Sequence, residues 1–289
     1  ALNLFANYEN TFGKLHYFKA TVGYNQEYRH YKIINMQAKN LIDPGTPFIG
    51  LNSDPKPAVW GNEYEWALDG LLYRLNYIFN DKYLLEIDGR YDGTSAFPDG
   101  KRFVWSPSAS AGWRISEENF FASAKDVVSD LKLRVSYGKL PNQQFDPAYP
   151  SDGAIYPYVA LMPSNQSNYI FGSQQSTAVG APGLVSPGFT WETVTTKDIG
   201  LDFTLLRQRL TGNFDWYERE TKNMLVAGQP LPGVLGTTPP AKNAASLMTK
   251  GWELSLTWND RINKDLSYSV RFGLSDNTAK ITKYDLNPI

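Results

Sequence analysis

The sequence predicts an all-β protein, an antiparallel transmembrane β-barrel of which this chain covers about ten strands. Three observations lead there. Long segments alternate apolar and polar side chains with a period of two, which puts the two kinds on opposite faces of a strand. Tight turns alternate with long irregular connections. Aromatic rings gather toward the ends of the alternating segments, where a membrane surface would lie.

The segments run near 2–11, 15–26, 64–79, 82–94, 102–116, 130–140, 191–206, 209–222, 250–261 and 265–281. The fourth is the clearest. Tyr83, Leu85, Ile87 and Tyr91 share one face, and Lys82, Glu86, Asp88, Arg90 and Asp92 share the other. In the sixth, Leu131, Leu133, Val135 and Tyr137 oppose Lys132, Arg134 and Ser136. Ile199, Leu201, Phe203 and Leu205 then oppose Asp198, Asp202 and Thr204, and Leu210, Phe214 and Trp216 oppose Thr211, Asn213 and Asp215. Finally Trp252, Leu254, Leu256 and Trp258 oppose Glu253, Ser255 and Thr257, and Tyr268, Val270, Phe272 and Leu274 oppose Ser269 and Arg271. A soluble β-sandwich writes the same alternation with its apolar face inward, so the strands by themselves leave both readings open.

The connections separate them. Tight turns are expected at Phe12-Gly13-Lys14, Asn80-Asp81, Arg207-Gln208 and Arg261-Ile262-Asn263-Lys264, where Gly, Asn and Asp tolerate a left-handed backbone. Long stretches near 27–62, 141–190 and 223–249 are rich in Pro, Gly, Ser, Asn and Gln. If strands run up and down, the long stretches all fall at one end and the tight turns at the other, the habit of outer-membrane barrels. Two links break the contrast: a short one at Ala96–Gly100, and a medium one from Glu117 to Ser129 with a helical turn expected around Phe120–Val128. Trp66, Tyr73, Tyr77, Phe79, Tyr83, Tyr91, Trp105, Trp113, Trp216, Trp252 and Trp258 fall toward strand ends.

Composition narrows the function. The chain has 289 residues, a formal charge of −1 and no cysteine. Near-balanced charge gives no footprint for nucleic acid, and no disulfide or thiolate site is possible. Mean hydropathy is −0.40, and no apolar run reaches the roughly 20 residues of a membrane helix. A barrel hides its membrane signal in alternation, so its average hydropathy looks soluble. Both ends begin and stop as if cut from a longer chain.

Little in the sequence points to catalysis. Glu86 and Asp88 are two apart on one face, about 7 Å between Cα atoms, and a glycosidase needs two carboxylates across a substrate. The periodicity makes them part of a lumen-facing polar wall with Arg90, Lys132, Arg134, Asp198 and Asp202. The two histidines, His16 and His30, sit in different segments without metal-ligand spacing, so neither a metal nor a cofactor is expected. Ligand contact is expected from rings in the long connections: Trp60 and Tyr64 at the end of the first, and Tyr149, Tyr156, Tyr158, Tyr169 and Phe171 in the second, interleaved with Asn and Gln. Rings cover apolar faces of a sugar or peptide and amides satisfy its polar groups.

Five segments carry a family resemblance. They are Lys82–Phe97 (KYLLEIDGRYDGTSAF), Trp105–Glu118 (WSPSASAGWRISEE), Asp130–Gly138 (DLKLRVSYG), Trp191-Glu192-Thr193 followed by Asp198–Asp202 (DIGLD), and Lys250–Leu256 (KGWELSL). In order and spacing they resemble the SusC/RagA-like TonB-dependent outer-membrane transporters over roughly residues 60–285. The resemblance implies a 22-stranded barrel filled by an N-terminal plug, so that residues 1–289 would be one part of the wall, with plug, TonB box and last strands elsewhere. It implies active import of a nutrient, a glycan or oligopeptide, across the outer membrane of a Gram-negative, Bacteroidetes-like bacterium, without enzymatic chemistry. The partners implied are a SusD-like surface lipoprotein and the TonB–ExbB–ExbD complex, acting through the N-terminal part. Outer-membrane lipid and lipopolysaccharide would surround the wall. The rival expectations are a passive porin or structural barrel, and a soluble carbohydrate-binding or hydrolytic β-sandwich.

Overall fold

The computed structural model describes residues 1–43, 45–53, 56–142, 156–172, 174–186 and 188–285. Its strands are β1 (Leu2–Phe12), β2 (His16–Gln37), β3 (Ala58–Phe79), β4 (Tyr83–Thr94), β5 (Phe103–Arg114), β6 (Val128–Asn142), β7 (Ser164–Phe171), β8 (Gln174–Val179), β9 (Glu192–Leu205), β10 (Leu210–Val226), β11 (Lys242–Arg261) and β12 (Ser267–Tyr284). Ten of them form one antiparallel sheet in the order β1-β2-β3-β4-β5-β6-β9-β10-β11-β12, and β7 and β8 pair separately. The order follows the chain, as an up-and-down wall requires. The sheet does not close: among the described residues β1 pairs only with β2, and β12 only with β11.

The turns form where the chemistry allows. Asn80 and Asp81 adopt φ of 50° and 55°, and Gly13 and Lys14 adopt 57° and 62°. Two successive left-handed residues twist a two-residue turn the way antiparallel strands twist. Leu206, Arg207 and Gln208 also lie at positive φ, with Leu206 donating its N–H to the Val127 carbonyl at 2.7 Å. The β5–β6 link contains short 3-10 turns at Ile115–Glu117 and Asn119–Ala124, so the helical turn expected around Phe120–Val128 starts earlier and ends sooner.

The long connections are shorter than the sequence reading had them. β2 runs on to Gln37 and β3 begins at Ala58, so the connection shrinks from 27–62 to 38–57. Similarly, β10 reaches Val226 and β11 starts at Lys242. The 141–190 stretch holds the β7–β8 hairpin. These extensions lack an apolar face because they rise above the membrane. Twenty-two residues span about 70 Å along a strand, against an apolar core about 30 Å thick.

Register sorts the faces. Leu133 on β6 stands opposite Leu201 on β9, which stands opposite Phe214, Leu254 and Leu274 on successive strands. Tyr83 likewise aligns with Phe79 and Trp113. The polar face is the more enclosed one: Leu84, Glu86 and Asp88 are half-buried, whereas Tyr83, Leu85 and Ile87 are exposed. A soluble sandwich would reverse this, burying the apolar side against a second sheet.

Two aromatic belts bound the apolar face. One holds Phe79, Tyr83 and Trp113, with Phe79 and Tyr83 stacked at 6.2 Å. The other holds Tyr73, Tyr91, Phe103 and Trp105, with ring pairs at 5.3 to 6.0 Å. Tyr83 to Tyr91 and Trp113 to Trp105 are eight residues each, which at a tilt near 40° gives a height of about 20 Å, close to the roughly 25 Å apolar band of such barrels. Trp252 now lies well inside β11, so the belt marks the membrane edge rather than the strand end. Trp66 belongs to neither belt, because it sits on the polar face.

Candidate functional site

The polar face carries a ladder of charge at membrane depth. Arg134 on β6 donates to Asp202 on β9 through Nε and Nη2, at 2.8 and 2.9 Å, and to Asp215 on β10 at 2.7 Å. The guanidinium lies flat against Gly200, where an added Cβ would come within 2.6 Å of Nη2 and would also meet the Asp215 carboxylate. A side chain there would have to push the ends of Arg134 and Asp215 aside and so disturb the fork. Arg90 chelates Asp92 two residues along the same face at 2.7 Å. Asp88 accepts a hydrogen bond from Ser108 on β5. A concavity of about 360 Å³ lies among Arg74, Asp88, Arg90, Ser106 and Ser108.

All seven residues expected on an inner wall, Glu86, Asp88, Arg90, Lys132, Arg134, Asp198 and Asp202, lie on this one face by register. Glu86 and Asp88 face Ser110 and Ser108 across the ladder rather than another carboxylate across a cleft. Among the described residues no three His, Asp or Glu side chains converge as metal ligands.

Above the membrane the same face turns aromatic. Tyr64 on β3 stacks on Tyr31 of β2, centroids 5.0 Å apart and planes 23° from parallel. One row lower, the Arg29 guanidinium sits 5.3 Å above the Trp66 ring. Arg29 also donates to Glu27 at 2.6 Å and to the Tyr31 hydroxyl at 3.0 Å. Two rows higher, Trp60 pairs with Asn35 and remains 52% exposed. The resulting strip presents an open indole, a stacked tyrosine pair and a fixed guanidinium, with Asn35 and Asn62 between them. Tyr31 and Arg29 were not expected in a site, since the 27–62 stretch reads as loop when its outward residues, among them His30 and Lys32, are charged or polar; Trp66 reads as a strand residue at the membrane boundary.

Of the other expected ring residues, Tyr156 and Tyr158 pack edge to face with centroids 5.9 Å apart. Tyr156 donates its hydroxyl to the Glu65 carbonyl at 2.5 Å, and Tyr158 to the Ser95 carbonyl at 3.2 Å. Their polar ends therefore tie the segment across β3 and the β4–β5 loop. Tyr169 stands on the detached hairpin, 76% exposed, and Phe171 ends β7 opposite Gln174. Tyr149 lies outside the described residues.

A small core fixes the mouth. Phe97 in the β4–β5 loop packs on Phe189 and Trp191, centroids 5.2 and 4.8 Å away, with Val104 and Leu225 against them. The Trp191 indole N–H donates to the Lys101 carbonyl at 3.1 Å. Asn243 bridges Thr190 and Asn223. This core joins the β4–β5 loop and the segment before β9 to the upper ends of β10 and β11.

Comparison with known proteins places this wall. The family model described as TonB dependent receptor-like, beta-barrel matches residues 1–288. The chain belongs to that family. TonB-dependent receptor P26 of Formosa agariphila is 31% identical over 276 residues, covering 95% of this chain and 27% of the relative. TonB-dependent receptor SusC of Bacteroides thetaiotaomicron is 28% identical, covering 97% of the chain and 27% of the relative. The solved RagAB peptide importer in its closed-closed state shares the fold with a TM-score of 0.79 at 23% identity, over 97% of this chain and 30% of that one. The TonB-dependent barrel chain thus spans under a third of the length of these relatives. The open sheet is an arc of such a barrel.

Proposed function

We propose that this chain is part of the barrel wall of an outer-membrane importer that moves a glycan or oligopeptide inward with energy from TonB. The observation that carries the reading is the pair of aromatic belts bounding the apolar face of a ten-stranded arc, in a chain of the TonB-dependent barrel family. The setting is the outer membrane of a Gram-negative, Bacteroidetes-type bacterium. The wall supplies shape and charge; it makes and breaks no bonds in the cargo. The polar ladder of Glu86, Asp88, Arg90, Lys132, Arg134, Asp198 and Asp202 lines the lumen, where charged groups remain hydrated.

A SusD-like surface lipoprotein covers the mouth in this reading, and TonB–ExbB–ExbD engages the N-terminal part of the protein. The names of two relatives support it: SusC, and a RagAB peptide importer. Cargo meets the strip of Trp60, Tyr31, Tyr64 and Arg29 on its way in. Tyr169 and Phe171 stand on the hairpin that a lid would meet. Tyr149, Tyr156 and Tyr158 are secondary contacts, the last two through their ring faces, since their hydroxyls are already used.

The test is uptake of labelled oligopeptides and oligosaccharides by cells carrying the full-length protein, with and without TonB. Import that requires TonB is expected, whereas equal import in its absence would make the protein a passive porin. Trp60→Ala is expected to weaken cargo binding about tenfold, given about 0.5–1.5 kcal/mol for an aromatic contact beyond its buried area. Unchanged affinity in that variant would remove the strip from the cargo path.

A further inference from the structure

The outward face changes from apolar to charged within a single row on β9, β10 and β11. Val135, Ile199, Trp216 and Trp252 form the last apolar row, which ends on β12 at Asp276. In the next, Lys197 on β9, Glu218 on β10 and Lys250 on β11 stand side by side. Glu218 takes both ammonium groups, at 3.3 and 2.9 Å, and its own side chain is only 18% exposed. The two lysines stay 61% and 57% exposed. One carboxylate holding two ammonium groups leaves a net positive charge, fixed in place and open to the surroundings.

The flanks extend it. Lys139 on β6 and Lys280 on β12 share the following row, two residues further up. Glu220 in that row is met by Lys222 at 3.0 Å. The opposite sector is different. At the corresponding outward positions of β2 and β3 the residues beyond the apolar rows include Asp69, Glu65 and Glu63 with only Lys32 and His30 facing them. Around Trp216 and Trp252, Lys139, Lys197, Lys222, Lys250 and Lys280 thus outnumber Glu218, Glu220 and Asp276, whereas carboxylates prevail in the β2–β3 sector.

We propose that Lys197 and Lys250, held by Glu218, bind the phosphate groups of an outer-leaflet phosphoglycolipid whose acyl chains lie on the apolar rows below. The inference rests on the outer-membrane reading above. The chemistry fits because ammonium groups are mobile point donors suited to phosphate, and a membrane surface strengthens their attraction to anionic headgroups. Trp216 and Trp252 place their rings at the boundary where such a headgroup begins.

The test is native mass spectrometry of the full-length transporter with three lipids: diphosphoryl lipid A, its dephosphorylated form, and phosphatidylglycerol. Wild type is expected to hold diphosphoryl lipid A and neither of the others to a comparable degree. The double variant Lys197→Gln/Lys250→Gln is expected to lose it about 30-fold, a factor of about five for each lysine at a membrane surface. Lys32→Gln, on the acidic sector, is expected to keep it. Equal retention by the double variant, equal loss by Lys32→Gln, or equal binding of the dephosphorylated form or of phosphatidylglycerol would overturn the site. Membrane fractionation of the same preparations separates the two claims. A protein found in the outer membrane without the lysine-dependent binding loses only the lipid site. A protein absent from that membrane loses both.

Discussion

Leu254 and Ser255 are neighbours in sequence and opposites in environment. Leu254 sits in a row with Phe214 and Leu274, on the face against lipid, and Ser255 in a row with Asn213 and Gly273, on the polar face. Arginine near the bilayer midplane on the lipid face costs about 2–4 kcal/mol. Leu254→Arg should therefore lower the yield of folded barrel, read as the heat-modifiable band on unboiled gels, while Ser255→Arg should leave it near wild type. Equal yields would reverse the facing of β11. Glu118 offers a second test, at the turn end. It accepts hydrogen bonds from the Tyr83 hydroxyl at 2.6 Å, Lys82 Nζ at 3.0 Å and the Trp113 indole at 3.1 Å, and these donors, Tyr83 first, hold its pKa down from 4.5 to about 2. A depressed carboxylate pKa adds stability that is complete above the unfolded value and drains as pH falls through the folded one. The stability difference between wild type and Glu118→Gln should be constant above pH 4.5 and shrink toward pH 2. A difference that does not change between pH 7 and pH 2 would remove Glu118 from this role.

At the scale of elements, the mouth is held by contacts between loops rather than by the sheet. Phe97 is the largest of the fully buried side chains and closes against Phe189 and Trp191. Truncating a buried phenylalanine costs about 3–5 kcal/mol. Because the transmembrane ladder is untouched, Phe97→Ala should leave barrel assembly intact and speed protease cleavage of the 94–102 loop on intact cells. Unchanged cleavage would mean that the loop is held elsewhere. The strands at membrane depth were legible in the sequence because one face must be apolar there; Leu131, Leu133 and Val135 fix which face of β6 that is. The upper halves of β2 and β3 were not. Lys32 and Glu63 are ordinary outward residues of a strand standing in water, and a two-faced polar strand has no periodicity to read. Tyr31 was missed for the same reason, and Trp66 because its ring reads as one of the boundary aromatics. The β7–β8 hairpin is mostly polar, and its Tyr169, Ile170 and Phe171 run consecutively rather than alternating, so it too leaves no signature.

On the scale of the whole molecule, β1 and β12 each present one unpaired edge among the described residues. Backbone groups in hydrocarbon must find partners, which is why membrane sheets close. Residues 1–289 expressed alone should fail to give a compact, heat-modifiable species in lipid vesicles, whereas the full-length protein should give one. A monomeric heat-modifiable band from the arc alone would show that it can curl shut by itself. The sequence determined the ten strands of the wall at membrane depth, their order and which face meets lipid. Period-two alternation and turn residues are local and survive without a partner strand. Only the tertiary structure decided what stands beside what. Arg134 meets Asp202 and Asp215 from 68 and 81 residues away, Glu218 gathers Lys197 and Lys250, and Phe97 finds Trp191. Such neighbours are set by register between strands, and register is fixed by summing apolar contacts over the whole face, which no single segment of sequence contains.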